Sequence, residues 1–229
     1  MNTAKIIAMT EPKIWTDAPG DPQKLSVDEF IAYVARVSNP SNQNNSLTAS
    51  KLLKYLAKHK HWSPFEMVDV VMEINTTRDI GRQILRHRSF RFQEFSQRYA
   101  DPTQDMGFVT REARLQDTKN RQNSIEVEDD ELQRQWKRKQ ESFTYSATDL
   151  YKWAIENGIA KEQARAVLPE GLILSRMYMA GSLRSWIHYC QVRTDASTQK
   201  EHREIAMQAW DQITDAFPSL KEVLASVDI

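Results

Sequence analysis

The sequence predicts one α+β domain over residues 1–229, mostly helical with a few strands. Three observations carry this expectation. Apolar residues recur at helical spacing over much of the chain, as at Phe30, Val34 and Val37. Val68, Val70, Met72 and Ile74 instead alternate with polar residues that include Asp69 and Glu73, the period of a half-buried strand. No internal repeat or low-complexity linker divides the 229 residues, a length that can bury a real core.

Taken in order, Ile6 to Met9 is a short apolar run and a first strand. Thr10 to Lys24 holds Pro12, Pro19, Gly20 and Pro22 and reads as a loop. Ser26 with Glu29 fits a capping box, so a helix starts there. Asn39 to Asn45 is a polar connector. A second helix runs from about Leu47 to His59, with Leu52, Leu53 and Leu56 on one face. His59 and His61 are two apart, which is wrong for one helical face, so that stretch reads as a loop closing the helix. The strand then spans Phe65 to Asn75.

Thr77 or Asp79 caps the next helix, with Ile80, Ile84 and Leu85 inward and Arg78 and Arg82 outward. Its C-terminal end carries Gln83, Arg86 and His87, where the helix dipole favours cations. Beyond it, an extended run would place Phe90, Phe92, Glu94, Ser96 and Arg98 on one side. Asp101 to Ser124 is polar and weakly periodic, a loop with a short helix at most. Glu126 to Glu131 is an acidic run that suits a helix start. That helix continues through Leu132, Trp136, Phe143, Leu150 and Trp153 to a stop at Asn157-Gly158. A helix over about Lys161 to Val167 ends at Pro169. Leu172 to Met179 is a strand, and Gly181-Ser182 turn it into a helix from Leu183 to about Arg193. A helix from about Ser197 to Ala216 turns Ile205, Ala209, Trp210 and Ile213 inward, and Pro218 starts a short tail helix.

Composition narrows the function. Lys+Arg and Asp+Glu both number 31, so the net charge is zero and no whole surface is built for nucleic acid or membrane. One cysteine, Cys190, excludes an intrachain disulfide and a cysteine metal cluster; it reads as a small buried thiol. No apolar run reaches the ~20 residues that span a bilayer, and Met1 to Glu11 lacks the features of a secretory signal. The expectation is a soluble, cytoplasmic protein with no bound metal. With six glycines and neither G-x-x-x-x-G-K-(S/T) nor G-x-G-x-x-G, a glycine-rich phosphate cradle is not expected.

The chemistry concentrates in Arg86-His87-Arg88-Ser89-Phe90-Arg91-Phe92-Gln93-Glu94-Phe95-Ser96-Gln97-Arg98-Tyr99. Arginine's planar fork of donors suits phosphate and carboxylate oxygens. Residue types alone leave three uses open: a small anionic ligand such as a phosphorylated metabolite, a nucleic acid, or plain solvation. Arg165 and Arg193 stand in two further polar segments and could complete an anion site.

This stretch resembles the signature of flavin-dependent thymidylate synthases, R-H-R-x-x-S-x-N-E-x-S-x-R-Y. Arg86, His87, Arg88, Glu94, Ser96, Arg98 and Tyr99 match; Arg91 replaces a serine and Gln93 an asparagine. Ala35-Arg36-Val37-Ser38, His61-Trp62-Ser63-Pro64-Phe65-Glu66, Ala164-Arg165-Ala166-Val167-Leu168-Pro169 and Arg184-Ser185 with Arg193, Gln199 and Glu201 resemble further family segments, in order.

The resemblance implies a helical fold with a small, mainly antiparallel sheet. It implies an FAD enzyme that methylates dUMP to dTMP, with methylenetetrahydrofolate and NADPH as co-substrates. It also implies a homotetramer with shared active sites. By resemblance the dUMP positions are Gln83, Arg86, Glu94, Phe95, Ser96, Gln97, Arg98, Arg165 (from another subunit) and Arg193. The FAD positions are Ser63, Arg86, His87, Arg88, Glu94, Ser182, Arg184 and His188, although asparagine is common in the family at Ser182 and His188. Arg193, Ser96 and His61 are the catalytic candidates. Two other readings remain: a single-stranded nucleic-acid module stacking bases on Phe90, Phe92, Phe95 and Tyr99, and an enzyme acting on another pyrimidine nucleotide.

Overall fold

The computed structural model describes residues 2–15 and 23–224; Pro19, Gly20 and Pro22 of the expected loop lie outside them. About half the chain is helical. The frame is a four-stranded antiparallel sheet in the order β1-β2-β6-β3. Its strands are β1 (Thr3–Met9), β2 (Asp69–Thr77), β3 (Arg91–Glu94) and β6 (Leu174–Ser182). β2 and β6 pair along their full length, from Asp69 with Ser182 to Thr77 with Leu174. β3 borders β6 from Arg91 opposite Ala180 to Glu94 opposite Met177.

The alternation read in β2 sets the sheet's faces. Val70, Met72 and Ile74 are buried together with Met177 and Met179. Three helices cover that side: α3 (Arg78–Ile84), α7 (Leu183–Arg193) and α8 (Lys200–Ala216). Trp186 of α7 is fully buried and donates its indole N–H to the Val70 carbonyl, which spares a buried donor. α1 (Val27–Ala35), α2 (Ala49–Lys58) and α9 (Pro218–Leu224) extend the same core. Ser26 and Glu29 form both bonds of the capping box, a motif whose loss costs about 1 kcal/mol.

A second, smaller core joins α5 (Asp130–Glu156) to α6 (Lys161–Ala164) and the 3-10 turn Arg165–Val167 through Tyr151, Ala154, Ala164, Leu168 and Ile173. Asp129 caps α5 by accepting from the N–H groups of Glu131 and Leu132, and Gly158 ends it at φ +77°, which an L side chain rarely adopts. Leu132, Trp136, Phe143, Leu150 and Trp153 form one stripe along α5, and every one is exposed.

Several expectations are corrected. Val37 and Leu47 lie outside their helices and are exposed, because α1 stops at Ala35 and α2 starts only at Ala49. Phe65 begins no strand; Pro64 sits in a 3-10 helix, Ser63–Met67, and extension starts at Asp69. The loop before α5 contains, besides the expected short helix α4 (Pro102–Asp105), an unexpected hairpin of β4 (Arg114–Gln116) and β5 (Ser124–Glu126), strands too short to show alternation. α8 begins at Lys200. Cys190 is buried, and burial pushes its thiol up. No helix among the described residues is long and apolar enough to cross a membrane.

Candidate active site

α3 places neighbouring side chains on two elements. Arg82 donates to both oxygens of Glu94 on β3, at 3.1 and 2.8 Å. The Ser175 hydroxyl donates to the same carboxylate at 3.0 Å, and Arg78 lies 3.6 Å from it. Arg78 is therefore not outward as expected: its side chain is only 11% exposed, drawn in by Glu94 and Glu170. Gln83 faces the other way and donates to Gln199, while its own oxygen lies 3.2 Å from His202 Nδ1.

Past α3 the chain turns, leaving Arg86 and Arg88 exposed and His87 half-buried. Arg193, the last residue of α7, donates from Nε to His87 Nε2 at 2.9 Å. Burial, then the nearby Arg193 charge, push His87 down to about 4. The imidazole is thus neutral near pH 7 and acts as an acceptor. Its ring meets buried Tyr189 edge-on, with centroids 4.9 Å apart. No hydrogen bond to the described residues engages the terminal nitrogens of Arg193, which remain available to a ligand.

At the opposite end of α7 a second cluster forms. Ser182 caps the helix by accepting from Ser185 N–H, and its hydroxyl donates to Glu66. Arg184 donates to the other Glu66 oxygen at 2.6 Å. The Ser182 hydroxyl and Arg184 hold the Glu66 carboxyl below the usual carboxylate range. Ser63 lies exposed in the same 3-10 helix as Glu66, and His188 lies exposed one turn beyond Arg184. The two clusters are the length of α7 apart, about 16 Å over its eleven residues.

β3 ends at Glu94, so the expected extended run stops there. Ser96 heads a turn, its carbonyl accepting from Tyr99 and Ala100 and its hydroxyl from the Arg98 N–H. Phe95 is half-buried and Gln97 buried. This turn touches the Arg165 segment: Lys161 donates to the Tyr99 carbonyl at 3.0 Å, and Arg98 lies 3.5 Å from Glu162. His61 is exposed beside Tyr55 and His59, at the end of α2.

The structure thus ties Arg193 to His87 and Gln83 to Gln199, and collects Ser182 and Arg184 on Glu66. It sets Ser96 to Arg98 beside α6. It does not gather all these residues into one pocket of a single chain. Sequence reasoning missed Arg78, Arg82, Ser175, Tyr189 and His202. None belongs to a motif, and only Arg82, adjacent to Gln83, gave any local signal. Of the two departures, Arg91 is exposed and pairs with Asp69 at 2.8 Å, and Gln93 points with it away from Glu94. The stacking platform of the nucleic-acid reading is absent among the described residues: Phe90 is buried, Phe92 and Phe95 are half-buried, and only Tyr99 is open.

Fold and site define a class: an α+β protein with one arginine-bearing polar cluster at each end of a single helix. The family model described as thymidylate synthase complementing protein matches residues 23–219. The chain is 47% identical over 220 residues to a flavin-dependent thymidylate synthase of Synechocystis sp., covering 96% of this chain and 98% of the relative. It is 44% identical over 222 residues to a probable flavin-dependent thymidylate synthase of Paramecium bursaria Chlorella virus 1, covering 97% and 98%. In fold it is similar to the UMP/dUMP methylase PolB from Streptomyces cacaoi bound with 5-Br dUMP, with TM-score 0.80 at 22% identity, over 100% of this chain and 96% of that one. The chain belongs to the flavin-dependent thymidylate synthase family.

Proposed function

We propose that this chain catalyses the reductive methylation of dUMP to dTMP with FAD, taking the carbon from methylenetetrahydrofolate and the reducing equivalents from NADPH. The observation that carries the reading is Arg193 held by neutral His87, with its terminal nitrogens unspent. A guanidinium fixed in this way stabilises negative charge developing on the N3/O4 side of a pyrimidine without giving up a proton. Gln83 and Ser96 offer hydrogen bonds to the nucleotide, and Arg86, Arg98 and Arg165 offer cations to its phosphate.

The donor set fits a dinucleotide cofactor. Arg86, Arg88 and Arg184 are exposed cations, and Ser63 and Ser182 are hydroxyls near the α7 N-terminus. These residues would hold the diphosphate and ribose, with His87, His188 and Glu94 completing the FAD set. The bound flavin supplies the redox chemistry. His61 would line the flavin and folate side.

Because the clusters stand a helix length apart in one chain, a complete site draws on more than one subunit. The exposed stripe Leu132, Trp136, Phe143, Leu150 and Trp153 suits such an assembly, since contiguous apolar surface marks an interaction site. The reading is a homotetramer acting in the cytoplasm. The test is the visible spectrum of purified protein with dUMP added, followed by a dTMP assay with methylenetetrahydrofolate and NADPH. Flavin absorbance that responds to dUMP, together with dTMP, supports it. Colourless protein forming no dTMP overturns it, and turnover of dCMP in preference to dUMP would move it to another pyrimidine.

A further inference from the structure

A chain of hydrogen bonds runs from buried Tyr189 through His202 and Gln83 to Glu201, and the carboxylate end sets its direction. Glu201 accepts from Arg114 at 2.6 Å through one carboxylate oxygen and from Gln199 Nε2 at 2.9 Å through the other. Burial pushes this carboxyl up, but the Arg114 and Gln199 hydrogen bonds outweigh it, so Glu201 is ionised. A carboxylate only accepts, so Gln199 must face it with its NH2 and turn its carbonyl oxygen toward Gln83. Gln83 then donates through Nε2 at 2.8 Å. Its own oxygen is left facing His202 Nδ1 at 3.2 Å, which must therefore carry the proton. His202 is fully buried, and burial followed by Arg193 push it down to about 3, so the ring is neutral. Its Nε2 holds a lone pair, and the Tyr189 hydroxyl donates to it at 3.1 Å. One assignment satisfies every member: Tyr189 to His202 to Gln83 to Gln199 to Glu201.

We propose that His202, fixed as its Nδ1–H tautomer by Tyr189, is a positioning residue that locks the orientation of the Gln83 amide. This rests on reading Gln83 as a dUMP contact. The locked amide keeps one N–H and one oxygen lone pair for the nucleotide, in an order that cannot flip. Without the His202 donor, Gln199 alone holds the amide: its oxygen loses a buried partner and the side chain can swing away from the place the nucleotide needs. Tyr189 also packs edge-on against His87. The same buried hydroxyphenyl group thereby supports the residue that holds Arg193 and the residue that orders Gln83.

The test uses the full-length, flavin-loaded protein with four variants: His202→Leu, His202→Asn, Tyr189→Phe and Gln83→Ala. Dissociation constants for dUMP are read from the change in flavin absorbance, and flavin content and Tm are measured alongside. Asparagine can place an N–H near the position of Nδ1; leucine cannot. The expected result is dUMP binding weakened about tenfold or more in His202→Leu, with flavin content kept, and restored to within about threefold in His202→Asn. Tyr189→Phe, which frees the tautomer, should fall between them. If His202→Leu binds dUMP normally while Gln83→Ala does not, the positioning role is wrong and the site reading stands. If Gln83→Ala also binds normally, the substrate reading of Gln83 fails, and the role of His202 fails with it. If His202→Leu and His202→Asn lose dUMP, flavin and Tm together, His202 is a packing residue only.

Discussion

Arg193 Nε and His87 Nε2 hold each other at 2.9 Å, tying the last residue of α7 to the turn that follows α3. An arginine always donates, so the histidine accepts and is neutral.

This fixes the pH response of folding. His87 is pushed down to about 4 and His202 to about 3, against about 6.5 for an unperturbed histidine. Below pH 6.5 the unfolded chain binds protons that the folded chain refuses. Stability is therefore full above pH 6.5 and declines as pH falls through the window toward 4 and 3. For fully buried His202 the slope approaches about 1.4 kcal/mol per pH unit. Thermal melts at pH 7.5, 6 and 5 should show a falling Tm, and His202→Leu should flatten the fall.

Glu94→Gln removes the anion shared by Arg82, Arg78 and Ser175. The carboxylate is 14% exposed, but Arg82 is 41% exposed and screened by water. The expected loss is about 1–3 kcal/mol, below that of a fully buried pair. Chemical denaturation would measure it. A dTMP rate within twofold of the parent would show that Glu94 is only structural.

Gly181→Ala is expected to disturb the motif from behind. A Cβ there would lie 2.5 Å from Phe90 Cδ1 and 2.8 Å from Cε1. Phe90 is also packed on Trp186, with centroids 4.9 Å apart. The ring must move and take the Arg88–Arg91 turn with it. A loss of about 1–3 kcal/mol should come with reduced flavin content, read from absorbance.

Arg91→Ser and Gln93→Asn restore the family signature and should leave activity within about twofold. Arg91 is mostly exposed and pairs with Asp69, also exposed, so its removal costs less than about 1 kcal/mol. Steady-state assays of each variant decide the point.

Phe143→Glu and Trp153→Glu place charge in the exposed stripe of α5. Both side chains are more than half exposed, so each subunit should still fold, with an unchanged helical circular dichroism spectrum. Light scattering should show a smaller assembly than the parent's. Parent and variants of identical mass would exclude the stripe as the subunit contact.

Much of this fold could be read from periodicity. The alternation of β2, the capping box at Ser26 and the left-handed stop at Gly158 are local signals; the last two appear where expected, and the strand appears with its start moved to Asp69. The site was legible only where a motif named it. The motif singled out Glu94 as a candidate but gave no sign of its partner Arg78, whose inward turn depends on that carboxylate 16 positions later in the chain. Tyr189 and His202 carry no local mark either. Their partners, His87 and Gln83, lie more than 100 residues away and are brought near only when α7 and α8 pack on the sheet. The β4–β5 hairpin escaped for the opposite reason: three residues per strand are too few to show a period.

Because Ser182 and Arg193 terminate the same eleven-residue helix, α7 acts as a ruler with a fixed phase. Adding one residue inside it would lengthen it by about 1.5 Å and rotate its far end by about 100°. Arg193 would then swing off His87 even though Glu66, Ser182 and Arg184 stayed in place. A residue added or removed inside α7 therefore breaks the spacing of the two clusters, whereas one added in the loops outside it leaves that spacing intact.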